Sequence, residues 1–123
     1  MQYITDYQEY LRIGGVLDAT AFDRFVLRAN NIIDIATHNR IVEGSDAVMA
    51  AKYAQRDIIE YINKSSDLEI SSKSQTVGGI SESESYKVKT KEEQNDDIEQ
   101  ILFDYLELYK TEDGVPILYR GGL

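Results

Sequence analysis

The chain has 123 residues, is 42% hydrophobic, and sets 22 acidic against 13 basic side chains for a net charge of −9. That length suits one domain with a modest core, and the charge argues against a surface built to grip phosphates, because such binding draws its affinity from Lys and Arg displacing counterions. The absence of cysteine excludes disulfides and thiolate metal sites and favours an intracellular protein.

The opening, MQYITDYQEYLRIGG, carries Asp6 and Glu9 and lacks a continuous apolar stretch, so no secretory signal is expected. No run of about 18 apolar residues offers a membrane span. Thr5 is the expected N-cap of a first helix over about 6–12, with Gln8 completing a capping box and Gly14-Gly15 ending it. A second helix follows Asp18. Its apolar residues Phe22, Phe25, Val26, Ala29, Ile32, Ile33 and Ala36 keep the three-four spacing of one helical face.

Asn39, Glu43 and Gly44 mark a break, and Ser45 is the expected cap of a third helix with Ala47, Ala51, Ala54, Ile58 and Ile62 on one stripe. Helical signal ends near Lys64-Ser65-Ser66. From Asp67 to Thr90 the chain alternates loosely, with Leu68 and Ile70, then Val77, then Tyr86 and Val88, and Gly78-Gly79 lies between the two arms. A ragged β-hairpin or a flexible loop is expected, projecting over 71–90.

Asn95 or Asp96 opens a last helix with Ile98, Ile101, Leu102, Tyr105 and Tyr109 on one face, its early acids Asp96, Asp97 and Glu99 suiting the helix dipole. Phe25, Ile32 and Ile33 are expected to meet Ile58, Ile62, Ile101 and Leu102 in the core. Pro116 closes the helical region, and residues 117–123, ILYRGGL, are expected to leave as an extended arm. The fold class is mainly α: a single domain, a bundle of about four helices with a central loop or hairpin insertion and a C-terminal arm.

Chemistry is sparse. His38 is the only histidine; Asp34 sits one turn before it, but no cysteine or second histidine completes a common zinc set, so it reads as a structural or surface residue. The stretch TVGGIS lacks the lysine and spacing of a P-loop. Glu82 and Glu84 alternate with serines and read as a solvated loop rather than a calcium site. No catalytic, cofactor or metal residue is assigned, and an enzyme is not expected.

The nine tyrosines tilt the reading toward an assembling protein, since tyrosine buries a ring while keeping a wet hydroxyl. In the tail, Leu118, Tyr119 and Arg120, followed by Gly121, have the composition of an interface hot spot.

A short starting helix, two longer helices, a Ser/Gly segment, a last helix and an ending in Leu118-Tyr119-Arg120-Gly121 together resemble the small head-tail connector proteins of long-tailed phages and prophages. The stretch SQTVGGISESESY is similar to that family's serine-rich segment, with Val77, Gly78, Gly79 and Ile80 at its Val-Gly pair and Ser85-Tyr86 at its close; ILYRGGL looks like the family's usual ending. The sequence departs from the pattern where Ser81-Glu82-Ser83-Glu84 makes a longer, more charged arm.

The resemblance implies a homo-oligomeric ring of about a dozen copies, placed below the portal protein, extending the DNA channel and facing the next connector or a tail-completion protein. It implies a location at the head-tail junction of the virion after assembly in the bacterial cytoplasm, with DNA passing unbound. Charge alone leaves a second reading open, an acidic monomeric module that binds proteins or mimics DNA.

Overall fold

The computed structural model describes residues 2–77, 90–111 and 113–118. Within them the chain forms α1 (Tyr7–Arg12), α2 (Ala19–Thr37), α3 (Asp46–Val77) and α4 (Lys91–Leu106). The fold is mainly α, a small helical bundle. Among the described residues the only ladder-type pairing is an isolated antiparallel bridge between Lys110 and Pro116.

Local chemistry sets each boundary. Asp6, rather than Thr5, caps α1: its carboxylate accepts the Glu9 N–H at 2.8 Å, and Glu9 in turn accepts the Thr5 N–H at 2.9 Å. A carboxylate is the better acceptor at a helix start, so the acids at 6 and 9 outcompete Thr5 and Gln8. Asp18 caps α2 by accepting the Ala21 N–H at 2.9 Å. The helix ends with His38 in the left-handed region at φ 52 and the Asn39 N–H returned to the Asp34 carbonyl at 3.0 Å, which gives the one histidine a backbone role. Ser45 uses its hydroxyl to donate to the Val42 carbonyl at 2.6 Å.

Two expected boundaries are corrected. α3 does not stop near Ser66 but runs to Val77, so Leu68, Ile70 and Val77 lie on a helix and not on a hairpin arm. Extending a helix adds one hydrogen bond for each residue fixed, without a new nucleation cost, and neither Gly nor Pro interrupts the chain between Ser45 and Gly78. α4 likewise starts earlier than Asn95. Thr90 is its N-cap in a complete capping box with Glu93.

α3 is the central element, and α2 and α4 both pack on it. Val26 of α2 is joined to Gln55 of α3, while Tyr61 and Asp57 of α3 meet Asp97 and Tyr105 of α4. The core holds Phe22, Phe25, Ala29 and Ile33 from α2, Ala51, Ala54, Ile58, Ile59 and Ile62 from α3, and Ile98, Leu102 and Leu106 from α4. The expected core is present, with Ile32 and Ile101 at its half-buried margin. No helix of the described residues is long and apolar enough to cross a membrane.

Candidate interaction surfaces

The C-terminal segment is the first place to look for a docking arm, and its geometry changes where such an arm begins. After α4 the chain folds back on itself. The Gly114 N–H donates to the Thr111 carbonyl at 2.9 Å, and Gly114 adopts φ 82, a conformation glycine takes without strain. The Thr111 N–H then donates to the Val115 carbonyl at 2.8 Å and the Ile117 N–H to the Tyr109 carbonyl at 3.0 Å, while the Arg40 guanidinium donates to the Pro116 carbonyl at 3.1 Å.

This return delivers Ile117 and Leu118 to the core, at 3% and 7% exposure. The expectation of an arm over 117–123 with Leu118 as a docking side chain is therefore corrected: Leu118 is core. Apolar burial outweighs extension here, because two aliphatic side chains left in water forfeit about 1.5–3 kcal/mol each. Tyr119, Arg120 and Gly121 lie outside the described residues. Beside the return, a cleft of about 290 Å³ opens between Ser45, Asp46 and Ala47 at the start of α3 and Tyr109, Lys110 and Ile117.

The tyrosines form a second candidate surface, and the structure turns most of them inward. Tyr3 and Tyr10 are fully buried, and Tyr7, Tyr61, Tyr105 and Tyr109 pack against the core. Five of the hydroxyls donate to partners within the subunit: Tyr3 to Asp34 at 2.5 Å, Tyr7 to the Leu17 carbonyl at 2.8 Å, Tyr10 to Glu60 at 2.7 Å, Tyr61 to Asp97 at 2.5 Å and Tyr105 to Asp57 at 2.7 Å. Burial, then the carboxylate beside each hydroxyl, pushes Tyr10 up to about 12 and Tyr3 higher still, so both stay protonated donors at any ordinary pH. These six tyrosines build the subunit from within.

One cluster on this side combines aromatic rings with charge. The Arg56 guanidinium lies over the Tyr53 ring, 5.2 Å from its centroid, and Tyr53 stacks on Tyr105 at 6.3 Å. Arg56 also donates to Asp57 at 3.0 Å, to the Tyr105 hydroxyl at 3.2 Å and to the Ile13 carbonyl. Burial works against its charge, but the hydrogen bond and the charge of Asp57 outweigh this and hold its pKa above the usual arginine value. The arrangement ties the loop after α1 to α3 and α4. It requires an arginine, because one planar fork reaches three acceptors.

Sequence reasoning missed the residues that hold the N-terminal segment. Asn30 Oδ1 accepts the Tyr3 N–H at 3.0 Å, and Gln55 Oε1 accepts the Ile4 N–H at 2.9 Å while its Nε2 donates to the Val26 carbonyl at 2.9 Å. Both amides are buried. Their signal was a polar residue on an otherwise apolar helical stripe, Asn30 beside Ala29 and Ile33, Gln55 between Ala51 and Ile58.

For the middle segment, Val77 is the last residue of α3, and Gly78, Gly79, Ile80, Ser85 and Tyr86 lie outside the described residues, as do Glu82 and Glu84. A second cleft, of about 460 Å³, separates Phe25 and Arg28 of α2 from Lys91 and Asn95 of α4 over a floor that includes Ile62 and Ile98. α3 continues for eleven residues beyond Ser66, which lines this cleft, or roughly 16 Å of helix at 1.5 Å per residue. Among the described residues no group of three or more His, Cys, Asp or Glu side chains could hold a metal ion. No family model, no curated protein and no solved structure matches this chain.

Proposed function

We propose that this chain is a head-tail connector subunit, a structural virion protein that joins others of its kind in a ring below the portal, extends the DNA channel and presents a surface to the next connector or the tail. The observation that carries the reading is the order of features along nearly the whole chain: short helix, two longer helices, the segment SQTVGGISESESY, a last helix and the ending LYRGG. The four helices fit that order, with residues 74–77 of the segment belonging to the end of α3. α3 reaches well past the cleft that α4 borders, so the segment with Gly78, Gly79, Ile80, Ser85 and Tyr86 follows a long helical stem suited to meeting a neighbour or a channel. Because Ile117 and Leu118 are anchored, the docking part of the tail is Tyr119, Arg120 and Gly121.

The net charge of −9 fits a protein past which DNA must move, since each firm phosphate contact adds salt-dependent drag. The test is co-sedimentation of the purified chain with portal-bearing heads that lack their connector, followed by electron microscopy of the bound particles. Rings at the portal are the expected result. A chain that neither binds heads nor self-associates favours instead the acidic module that offers carboxylates to a basic partner.

A further inference from the structure

Two helix faces stand largely open to solvent, although Phe103 packs in part on the core and Arg24 lies over the Phe25 ring at 5.8 Å. On α2 the outward stripe runs Arg24, Leu27, Arg28, Asn31 and Ile35, all exposed, with Leu27 and Ile35 at 69% and 75%. On α4 it runs Glu92, Asp96, Glu99, Phe103 and Glu107, four exposed carboxylates around a half-buried ring. Asp23 sits at the edge of the α2 stripe, and Asp34 is bonded to Tyr3. Lys91 borders the cleft from the α4 side, as Arg28 does from the α2 side. One flank of the bundle is thus basic and apolar, and another is acidic with an aromatic centre.

We propose that a second copy of this chain seats its α4 stripe on the α2 stripe of the first, the two copies standing side by side at one height. Charge complementarity selects the partner: in a chain of net charge −9, α2 offers a cationic outer face, and α4 of another copy offers its counterpart. Register supports the pairing. Phe25 and Arg28 border the same cleft as Lys91 and Asn95, so these parts of α2 and α4 are level within a subunit, and both helices run opposite to α3.

Ile35 lies as far beyond Arg28 as Phe103 lies beyond Asp96. Copies at one height therefore bring Arg24 and Arg28 to Glu92, Asp96 and Glu99 in the same register that brings Ile35 to Phe103. The contact is heterologous, and each added subunit leaves one stripe open at either end until a rotation closes the array. The pairing rests on the two stripes; its closure into a ring rests on the connector reading.

Since the chain has no native cysteine, disulfide trapping reads the contact directly. Asn31 and Glu99 are both exposed and occupy matching places in the register. The Asn31→Cys/Glu99→Cys double variant, oxidised at millimolar concentration and low salt, is expected to give a ladder of dimers, trimers and larger species. An equal mixture of the two single variants is expected to stop at dimers, and each single variant alone to stay monomeric. Adding Arg24→Glu and Arg28→Glu is expected to lower the ladder by about tenfold or more with unchanged helical circular dichroism, since like charges are then juxtaposed; adding Glu92→Lys and Asp96→Lys as well restores it.

Absence of the ladder, efficient self-dimerisation of either single variant, or a ladder indifferent to charge reversal overturns the pairing. Heads that capture wild-type and Arg24→Glu/Arg28→Glu chains equally, as rings, overturn the pairing and leave the connector reading intact. A charge-dependent ladder from a chain that never binds heads does the reverse.

Discussion

At its N-terminal end the chain is held by other residues' side chains, the amides of Asn30 and Gln55 taking the place of a strand partner for the Tyr3 and Ile4 N–H groups. At its C-terminal end the chain holds itself, through backbone bonds from Thr111 to Val115 and from Ile117 to Tyr109, with one bond from the half-buried Arg40 added from outside. Both devices bury two apolar or aromatic residues: Tyr3 and Ile4 in the first case, Ile117 and Leu118 in the second. They fail differently. An end clamped by buried amides depends on single side chains whose loss strands polar groups in the core, whereas an end clamped by its own turn depends on the apolar residues it delivers.

The largest expected effect follows from the second device. A chain ending at Val115 loses both Ile117 and Leu118 from the core, at roughly 2–5 kcal/mol for each large aliphatic side chain removed, and is expected to melt far below the full chain by circular dichroism. A chain ending at Leu118 keeps both and is expected to melt with the full-length protein. Equal melting of the two truncations would show that the return after α4 carries little of the stability.

Next in size is the amide clamp. Gln55→Leu preserves volume but strands the buried Ile4 N–H and removes a second bond, to the Val26 carbonyl that α2 also uses, at about 1–3 kcal/mol in all. Its C-terminal counterpart, Arg40→Ala, removes an exposed bond and is expected to cost less than about 0.5 kcal/mol. Urea midpoints of the two variants check the contrast directly. A Gln55→Leu loss no greater than that of Arg40→Ala would mean the N-terminal segment is held by Tyr3 and Ile4 alone.

The same contrast explains what was legible beforehand. Helices α2 and α4 announced themselves through apolar residues every three or four positions, and the packing of Phe25 and Ile33 against Ile58 and Ile62 followed from those stripes. The end of α3 was misread because Leu68 and Ile70 in a serine-rich stretch mimic alternation, while the property that matters, the lack of a breaker before Gly78, is a statement about absence. The tail was misread because a proline followed by Ile-Leu-Tyr resembles an arm; its capture depends on a turn at Gly114 and on a core, distant in sequence, that receives Ile117 and Leu118. The tyrosines signalled burial correctly but not its direction, since a ring with a bonded hydroxyl serves a core as well as an interface.

A smaller effect tests how tightly the N-terminal side is fitted. A Cβ at Gly15 would fall well inside contact distance of the Tyr10 ring. That ring cannot retreat freely, because its hydroxyl donates to Glu60 at 2.7 Å and accepts the Leu17 N–H at 3.1 Å and the Val16 N–H at 3.2 Å. Gly15→Ala is expected to cost about 1–3 kcal/mol as an overpacked contact, read as a lower urea midpoint with unchanged helical content. A neutral result would show that the loop after α1 shifts as a unit and that the clamp at Asn30 and Gln55 acts independently of it.

The smallest effect is electrostatic and has a defined pH window. Burial acts to raise the Glu9 carboxyl, but the hydrogen bond from Lys52 at 2.7 Å, the Thr5 N–H and the Lys52 charge outweigh it and hold its pKa below the ordinary 4.5. A folded-state pKa below the unfolded one contributes stability that is present above about pH 4.5 and lost as pH falls through the folded value. Lys52→Met keeps much of the aliphatic stem while removing the charge, so Glu9 moves back up and the variant is destabilised at neutral pH. The pair is only partly buried, with side chains 18% and 17% exposed, which places the loss at about 1 kcal/mol or less. Urea titrations from pH 7 downward should show the two proteins apart at neutral pH and the gap shrinking as pH falls below 4.5 and Glu9 takes up its proton. A gap that does not shrink as pH falls would assign the contribution of Lys52 to the packing of its stem across α1, and the N-terminal side would then be held without help from charge.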